Sequence, residues 1–249
     1  MSWSKPKPPI PVGIDVDAWI EKNVMLSDFH ESTTALLAFR ICSPTDHWIN
    51  RLAALLTSQP GEKPPGGRMC HVELLLPISE GSFVKCSVTK KVYDKKTGEF
   101  RPGCVHCVIM HPNEFSTKYT ILSLQDLDRS EIVRGIRFCM LNNGMPFNLA
   151  GFYANLTLPG GIGVRRWDES LMTKRRTYFC SEFIVTALQA MISGENKSRF
   201  YPALHWRTLI RSRNPAKSNP NSLYRLMKRA ANAGSGVVDR IPEGSKLNV

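Results

Sequence analysis

The chain has 249 residues, 42% hydrophobic and 22% charged, with a formal net charge of +12. That length and apolar content suit one large domain, with or without tails, and the lack of any run of about 18 apolar residues excludes a membrane-spanning helix. The seven cysteines show no spacing of a disulfide framework, which points to free thiols in a reducing compartment.

Met1 to Gly13 is rich in proline and basic residues and reads, as far as about residue 30, as a flexible N-terminal arm without the apolar centre of a signal peptide. "TALLAFRIC", Thr34–Cys42, has the pattern of a buried strand. In "SPTDHWINRLAALLTS", Ser43 or Thr45 can cap a helix, and Trp48, Ile49, Leu52, Leu55 and Leu56 recur at helical spacing. The glycines and prolines of Gln59–Arg68 mark a loop. Strands are expected at "MCHVELLLP", "GSFVKCSVTKKVYD", "CVHCVIMHP" and "KYTILSLQDL", with a hairpin turn at "KKTG". A helix follows over "DRSEIVRGIRFCMLNNG", closed by Gly144.

"LPGGIGVRRWDES" reads as a glycine-rich loop, a lid beside the next helix. That helix, "TYFCSEFIVTALQAM", places Phe183, Ile184, Ala187, Leu188 and Met191 on one face and Cys180 near its start. Beyond Gly194, nine Lys or Arg residues occur before Asp239 with no acid among them after Glu195. Ser212–Ser222 reads as a linker, "LYRLMKRAANAG" as a short basic amphipathic helix, and 212–249 as a basic tail. The order of elements predicts an α+β fold with a largely antiparallel sheet.

Cys180 and His71 carry the expected chemistry. A thiol at a helix start meets unpaired backbone N–H groups and the positive end of the helix dipole, which favour a thiolate and can hold an oxyanion. Lys174, Arg175 and Arg176 act in the same direction. Such a nucleophile needs a base. His71 lies in a strand with Glu73 two positions on, so imidazole and carboxylate share a face. Against this stand the plainer readings, a buried core cysteine and a solvated His–Glu pair. The pair Cys104 and Cys107, with His111 near, lacks the second pair of ligands that a zinc site needs. Cys70 is expected in the core, and no metal or cofactor is expected.

The sequence resembles the circularly permuted papain-like enzymes of the NlpC-type superfamily, a group that includes YiiX-like bacterial proteins, lecithin retinol acyltransferase relatives and poxvirus proteins. The resemblance spans about Ala35–Ile210. It rests on "LLAFRIC", "DHWINRLAALLTS", "CHVELLL", "NNGMPFNLAGF" and "FCSEFIVTAL", with the histidine preceding the cysteine. It implies a permuted papain-like domain over 31–211, its antiparallel sheet packed on the helix that carries the cysteine. It also implies Cys180 as nucleophile and His71 as base, with Tyr178, Phe179 and Ser181 at the groove or oxyanion site. Glu73 is the preferred orienting residue, and Ser87 and Ser82 on the next strand are the other polar candidates.

The implied activity is a thiol hydrolase or acyltransferase acting on an amide, thioester or ester, with a peptide, lipid or other acyl substrate. The alternative is a non-catalytic virion or structural protein of the same fold. Its basic tail, through Arg207, Arg211, Arg213, Arg225, Lys228 and Arg229, would meet nucleic acid or an anionic membrane. A cytosolic location, or packaging from the cytosol into a virion, is expected. No oligomeric state follows.

Overall fold

A computed structural model describes residues 9–25, 33–46, 48–57, 68–79, 81–89, 91–94, 99–111, 119–148, 178–194 and 201–240. In chain order these form α1 (Val16–Asn23), β1 (Thr33–Ile41), α2 (Trp48–Leu56), β2 (Met69–Ser79), β3 (Ser82–Val88), β4 (Lys91–Asp94), β5 (Glu99–Pro102), β6 (Val105–Met110) and β7 (Tyr119–Leu127). There follow α3 (Arg129–Leu141), α4 (Cys180–Ile192), α5 (Trp206–Arg211), α6 (Pro220–Asn232) and β8 (Val237–Arg240). The fold is α+β. One six-stranded sheet has the order β6-β3-β2-β1-β7-β8 with every neighbouring pair antiparallel, and β4 and β5 form a separate hairpin.

Alternation along the strands sorts their residues between two faces. Leu37, Phe39, Val72, Leu74, Leu76, Val84, Cys86, Leu122 and Leu124 belong to the larger buried cluster, with Phe183, Ile184, Ala187 and Leu188 of α4. Leu36, Ala38, Leu75, Phe83, Met110 and Ile121 form the smaller cluster. Helix α4 is therefore buried almost all round, and it crosses α3 closely. The contact point is Gly135, where a Cβ would lie 2.6 Å from Met191 Cγ and 3.1 Å from Leu76 Cδ1. Helix α3 begins with a capping box: Asp128 accepts from the Glu131 N–H, and Glu131 accepts from the Asp128 N–H, each at 2.9 Å. Past its end, Gly144 takes φ 88°, a left-handed conformation that glycine adopts at little cost.

The flexible arm expected over residues 1–30 is corrected over residues 9–25, which are folded. Ile10 is buried and its N–H bonds Cys107 O at 2.8 Å, while α1 buries Val16 and Ile20. Asp15 caps α1, and Val16, Ile20 and Val24 give the segment an apolar stripe that proline content masked.

The basic tail and the linker expected from residue 212 are likewise corrected. Residues 215–217 form a 3-10 turn, α6 has a proline at its start and Asn219 as cap, and β8 pairs with β7 as the sheet's sixth strand. Leu223, Met227 and Ala230 recur at helical spacing and are all fully buried. Basic residues occupy the opposite face of α6, and it is they that gave the segment its tail-like composition.

Helix α2 departs from expectation in the other direction. Trp48, Leu52, Leu55 and Leu56 are exposed, while Ala54 is buried. The "KKTG" turn and the glycine-rich 158–170 loop lie outside the described residues. Among the described residues no helix is long and apolar enough to cross a membrane.

Candidate active site

The site forms at one end of the sheet, where β1 and β3 finish and β2 and β7 begin. A pocket of about 320 Å³ opens there, and His71, Glu73 and Cys180 all line it. Cys180 is the first residue of α4 and is 5% exposed. The preceding segment is fixed by the "GMPFN" turn. Tyr178 N–H bonds Pro146 O at 3.1 Å, Asn148 N–H bonds Tyr178 O at 2.7 Å, and Phe147 bridges Tyr178. Glu182 turns back on the start of α4, accepting from Phe179 N–H and from Asn148 Nδ2 at 3.4 Å each. The turn and the helix start are thus one unit, and Phe147 lines the pocket beside Cys180.

His71 comes from β2. Its Nε2 lies 2.8 Å from Ser87 Oγ and 3.4 Å from Glu73 Oε1. Leu74 faces Cys86 in the β2–β3 register, so Ser87 stands across from Glu73 and diagonal to His71. Lys85 Nζ is 3.6 Å from the same carboxylate oxygen. Burial opposes a charge on His71. The Cys180 thiol, acting as a side-chain hydrogen-bond partner, and the Glu73 carboxylate overcome that and raise the imidazole pKa to about 10. Burial likewise opposes ionisation of Glu73, but His71, Lys85 and a hydrogen bond from Ser87 hold its carboxyl down at about 2. His71 and Glu73 therefore form an ion pair at neutral pH. Ser87, itself fully buried, lies 2.8 Å from His71 Nε2 and directly across the strand pair from Glu73.

The remaining pocket residues are ones that sequence reasoning missed: Arg40, Asn50, Cys70, Val88, Thr89 and Tyr119. Arg40 and Tyr119 are each other's partners between β1 and β7, and Arg40 also faces His71 between β1 and β2. Period-two counting from His71 finds only its own strand, whereas these neighbours follow from a register that the sequence does not print. Cys70 is a correction. The register steps from Arg40–His71 to Ile41–Met69, which leaves Cys70 as the extra residue of a β-bulge and turns it into the pocket instead of the core. Burial pushes its thiol up to about 12.

Tyr178, Phe179 and Ser181, expected at the groove, do not line this pocket. Tyr178 is fully buried and packs edge-on against Phe183 at 5.4 Å, and Ser181 donates to Ser218 O at 2.7 Å. All three are neighbours of Cys180 in sequence, but their side chains are buried away from the pocket. Ser82 lies at the far end of β3 from Ser87. Cys107 touches Cys86 at 3.7 Å within the core, and Cys104 is half-buried.

Several of the expected anion contacts have other roles. Arg207 is fully buried and pairs with Glu131, its Nη2 bonding Oε2 at 2.9 Å. Arg213 donates to Ser218 Oγ at 2.9 Å and Ser222 Oγ at 2.6 Å, Arg225 to Thr57 O at 3.5 Å, and Lys228 pairs with Asp239. Arg211 and Arg229 are exposed. No protein-family model matches the chain, and no curated protein or solved structure matches it either.

Proposed function

We propose that the chain is a thiol hydrolase or acyltransferase of permuted papain-like fold, acting through a covalent acyl-enzyme on Cys180. The observation that carries this reading is the arrangement around His71: the Cys180 thiol beside the ring, and Glu73 with Ser87 on Nε2, all at one pocket. With Nε2 so engaged, Nδ1 is the nitrogen left for the sulfur. Charged His71 stabilises a thiolate and donates from Nε2 to Ser87, while Glu73 stabilises the imidazolium without taking its proton.

The chemistry then runs in two balanced steps. The Cys180 thiolate adds to the carbonyl carbon of an amide, ester or thioester. The backbone N–H groups at the start of α4 supply donors for the oxyanion. As the bond to the leaving group breaks, His71 gives that group its proton, and a thioester to Cys180 remains. Neutral His71 next takes a proton from water, or from an acceptor alcohol or amine, whose oxygen or nitrogen attacks the thioester and frees the thiolate. The alternative of a non-catalytic protein binding nucleic acid or membrane through a tail has less support, because residues 212–240 are folded into the sheet and helices.

The test is alkylation with a limiting thiol reagent at neutral pH, with the modified cysteine identified by mass spectrometry. Cys180 should react ahead of the other six cysteines, and His71→Ala should slow it at least roughly tenfold. Labelling of Cys42 or Cys104 ahead of Cys180, or a rate untouched by His71→Ala, overturns the reading.

A further inference from the structure

We infer a second functional site next to this pocket: a binding site for a soft divalent cation, of which zinc is the type, formed by Cys42 Sγ, Cys70 Sγ and the Asp46 carboxylate. Among the described residues these three ligand atoms lie within 4.8 Å of one another. Tetrahedral zinc with thiolate and carboxylate ligands needs edges of about 3.5–3.8 Å, from Zn–S near 2.3 Å and Zn–O near 2.0 Å. The Cys70 Sγ to Asp46 Oδ2 separation is already 4.0 Å. Thiolates select zinc-class ions over magnesium or calcium.

The backbone holds the three groups for reasons unrelated to one another, and that convergence is what makes a site. Cys42 follows the end of β1, and its N–H bonds Arg68 O at 2.8 Å, which keeps it beside the entry to β2. Cys70 is turned toward it by the β-bulge. Asp46 is oriented by a tight turn: Ser43 N–H donates to its Oδ2 at 2.7 Å, and its other oxygen pairs with Arg40. A ligating carboxylate held by outer hydrogen bonds is the arrangement that metal sites use.

Arg40 at first argues against a cation. The charge count reverses that. Two thiolates and a carboxylate carry three negative charges, a dication leaves one, and the Arg40 guanidinium neutralises it. All three ligand residues are half-buried, so three protein ligands and one position open to solvent are the geometry on offer. The ion would tie the end of β1 to the residue before His71, and so fix the backbone from which that side chain projects. The proposal does not depend on Cys180 being a nucleophile.

Cobalt titration of the chelator-stripped full chain tests it. The expected result is one-to-one binding, with a sulfur-to-cobalt charge-transfer band and tetrahedral d–d bands that zinc bleaches, and a higher Tm with zinc. Cys42→Ser and Cys70→Ser should each weaken binding by roughly 100-fold or more, beyond the 10–100-fold typical of an outer-shell partner. Asp46→Asn should weaken it with both sulfur ligands still reporting. Cys180→Ala should leave the spectrum unchanged. Absence of the charge-transfer band in folded wild type, its survival in folded Cys42→Ser, or its loss in Cys180→Ala overturns the proposal, the last because it would place the ion on the Cys180 thiol.

Discussion

Glu73 lies two residues along β2 from His71, and its carboxylate stands 3.4 Å from the ring nitrogen that Ser87 engages at 2.8 Å. The pair fixes the sign of a pH dependence. His71 is raised from 6.5 to about 10, so its contribution to stability is whole below about pH 6.5 and is lost as the pH climbs to about 10. Glu73 is lowered from 4.5 to about 2, so its contribution is whole above about pH 4.5 and is lost as the pH falls to about 2. The two share the His71–Glu73 contact, while Cys180 also raises His71 and Lys85 and Ser87 also lower Glu73. Glu73→Gln removes the charge and keeps the shape. The His71 imidazole should then titrate below about 10, with the Cys180 contribution still in place, in an NMR pH titration of the ring protons. An unchanged midpoint would mean that Glu73 does not govern this histidine.

Ser87 presents a different prediction, because it contributes a hydrogen bond and no charge. Ser87→Ala leaves Nε2 with Glu73 alone. A hydrogen bond to a charged group is worth about 1.5–3 kcal/mol, so Cys180 alkylation should slow by about 10- to 100-fold if the bond is fully expressed in the reactive state. Ser87→Thr, which keeps the hydroxyl, should restore most of the rate. Equal rates for wild type and Ser87→Ala would remove Ser87 from the machinery.

How much of this was legible in the sequence depends on the range of the forces involved. The buried strands, α3 and α4 were readable because local periodicity and caps such as Asp128–Glu131 are short-range signals. His71, Glu73 and Cys180 could be singled out by their places on a strand and at a helix start. Cys70 could not, since a bulge is a property of two paired strands. The α2 stripe misled because periodicity marks an apolar face without saying what covers it: Trp48 is 64% exposed. In the C-terminal region the amphipathic helix α6 was readable, but its place in the folded domain was not. Its buried set is small, and the arginines around it dominate the composition.

Arg207 makes that last point measurable. Read as an exposed anion contact, it should tolerate substitution. In the structure it is fully buried against Glu131, and its guanidinium lies 4.9 Å from the Trp206 ring centroid and 5.2 Å from that of Tyr201. Arg207→Met leaves Glu131 buried and uncompensated, at a cost of about 3–5 kcal/mol. Tm should fall on the order of 10 °C, given about 2–4 °C per kcal/mol for a chain of this size. Adding Glu131→Gln, which retains an acceptor for the Asp128 N–H, should recover much of the loss. A Tm within a degree of wild type for the single variant would contradict the buried pairing.

The C-terminal segment also bears on the site itself, through Asn221. Its side chain accepts from Met69 N–H at 2.5 Å and donates to Ala54 O at 3.1 Å and Thr57 Oγ1 at 2.8 Å. It thereby ties α6 to α2 and to the first residue of β2, two positions before His71. Asn221→Ala leaves a buried N–H and a buried carbonyl without that partner, at about 1–3 kcal/mol for each group left unsatisfied. Tm should therefore fall, and amide exchange should quicken at Met69 and along α2 before it does so in α3. A chain ending at Arg211 loses the same tie together with α6 and β8. It should fail to give the cooperative thermal transition of the full chain. A truncated chain with an unchanged transition and undiminished Cys180 reactivity would instead make residues 212–240 an appendage, and the tie at Asn221 dispensable.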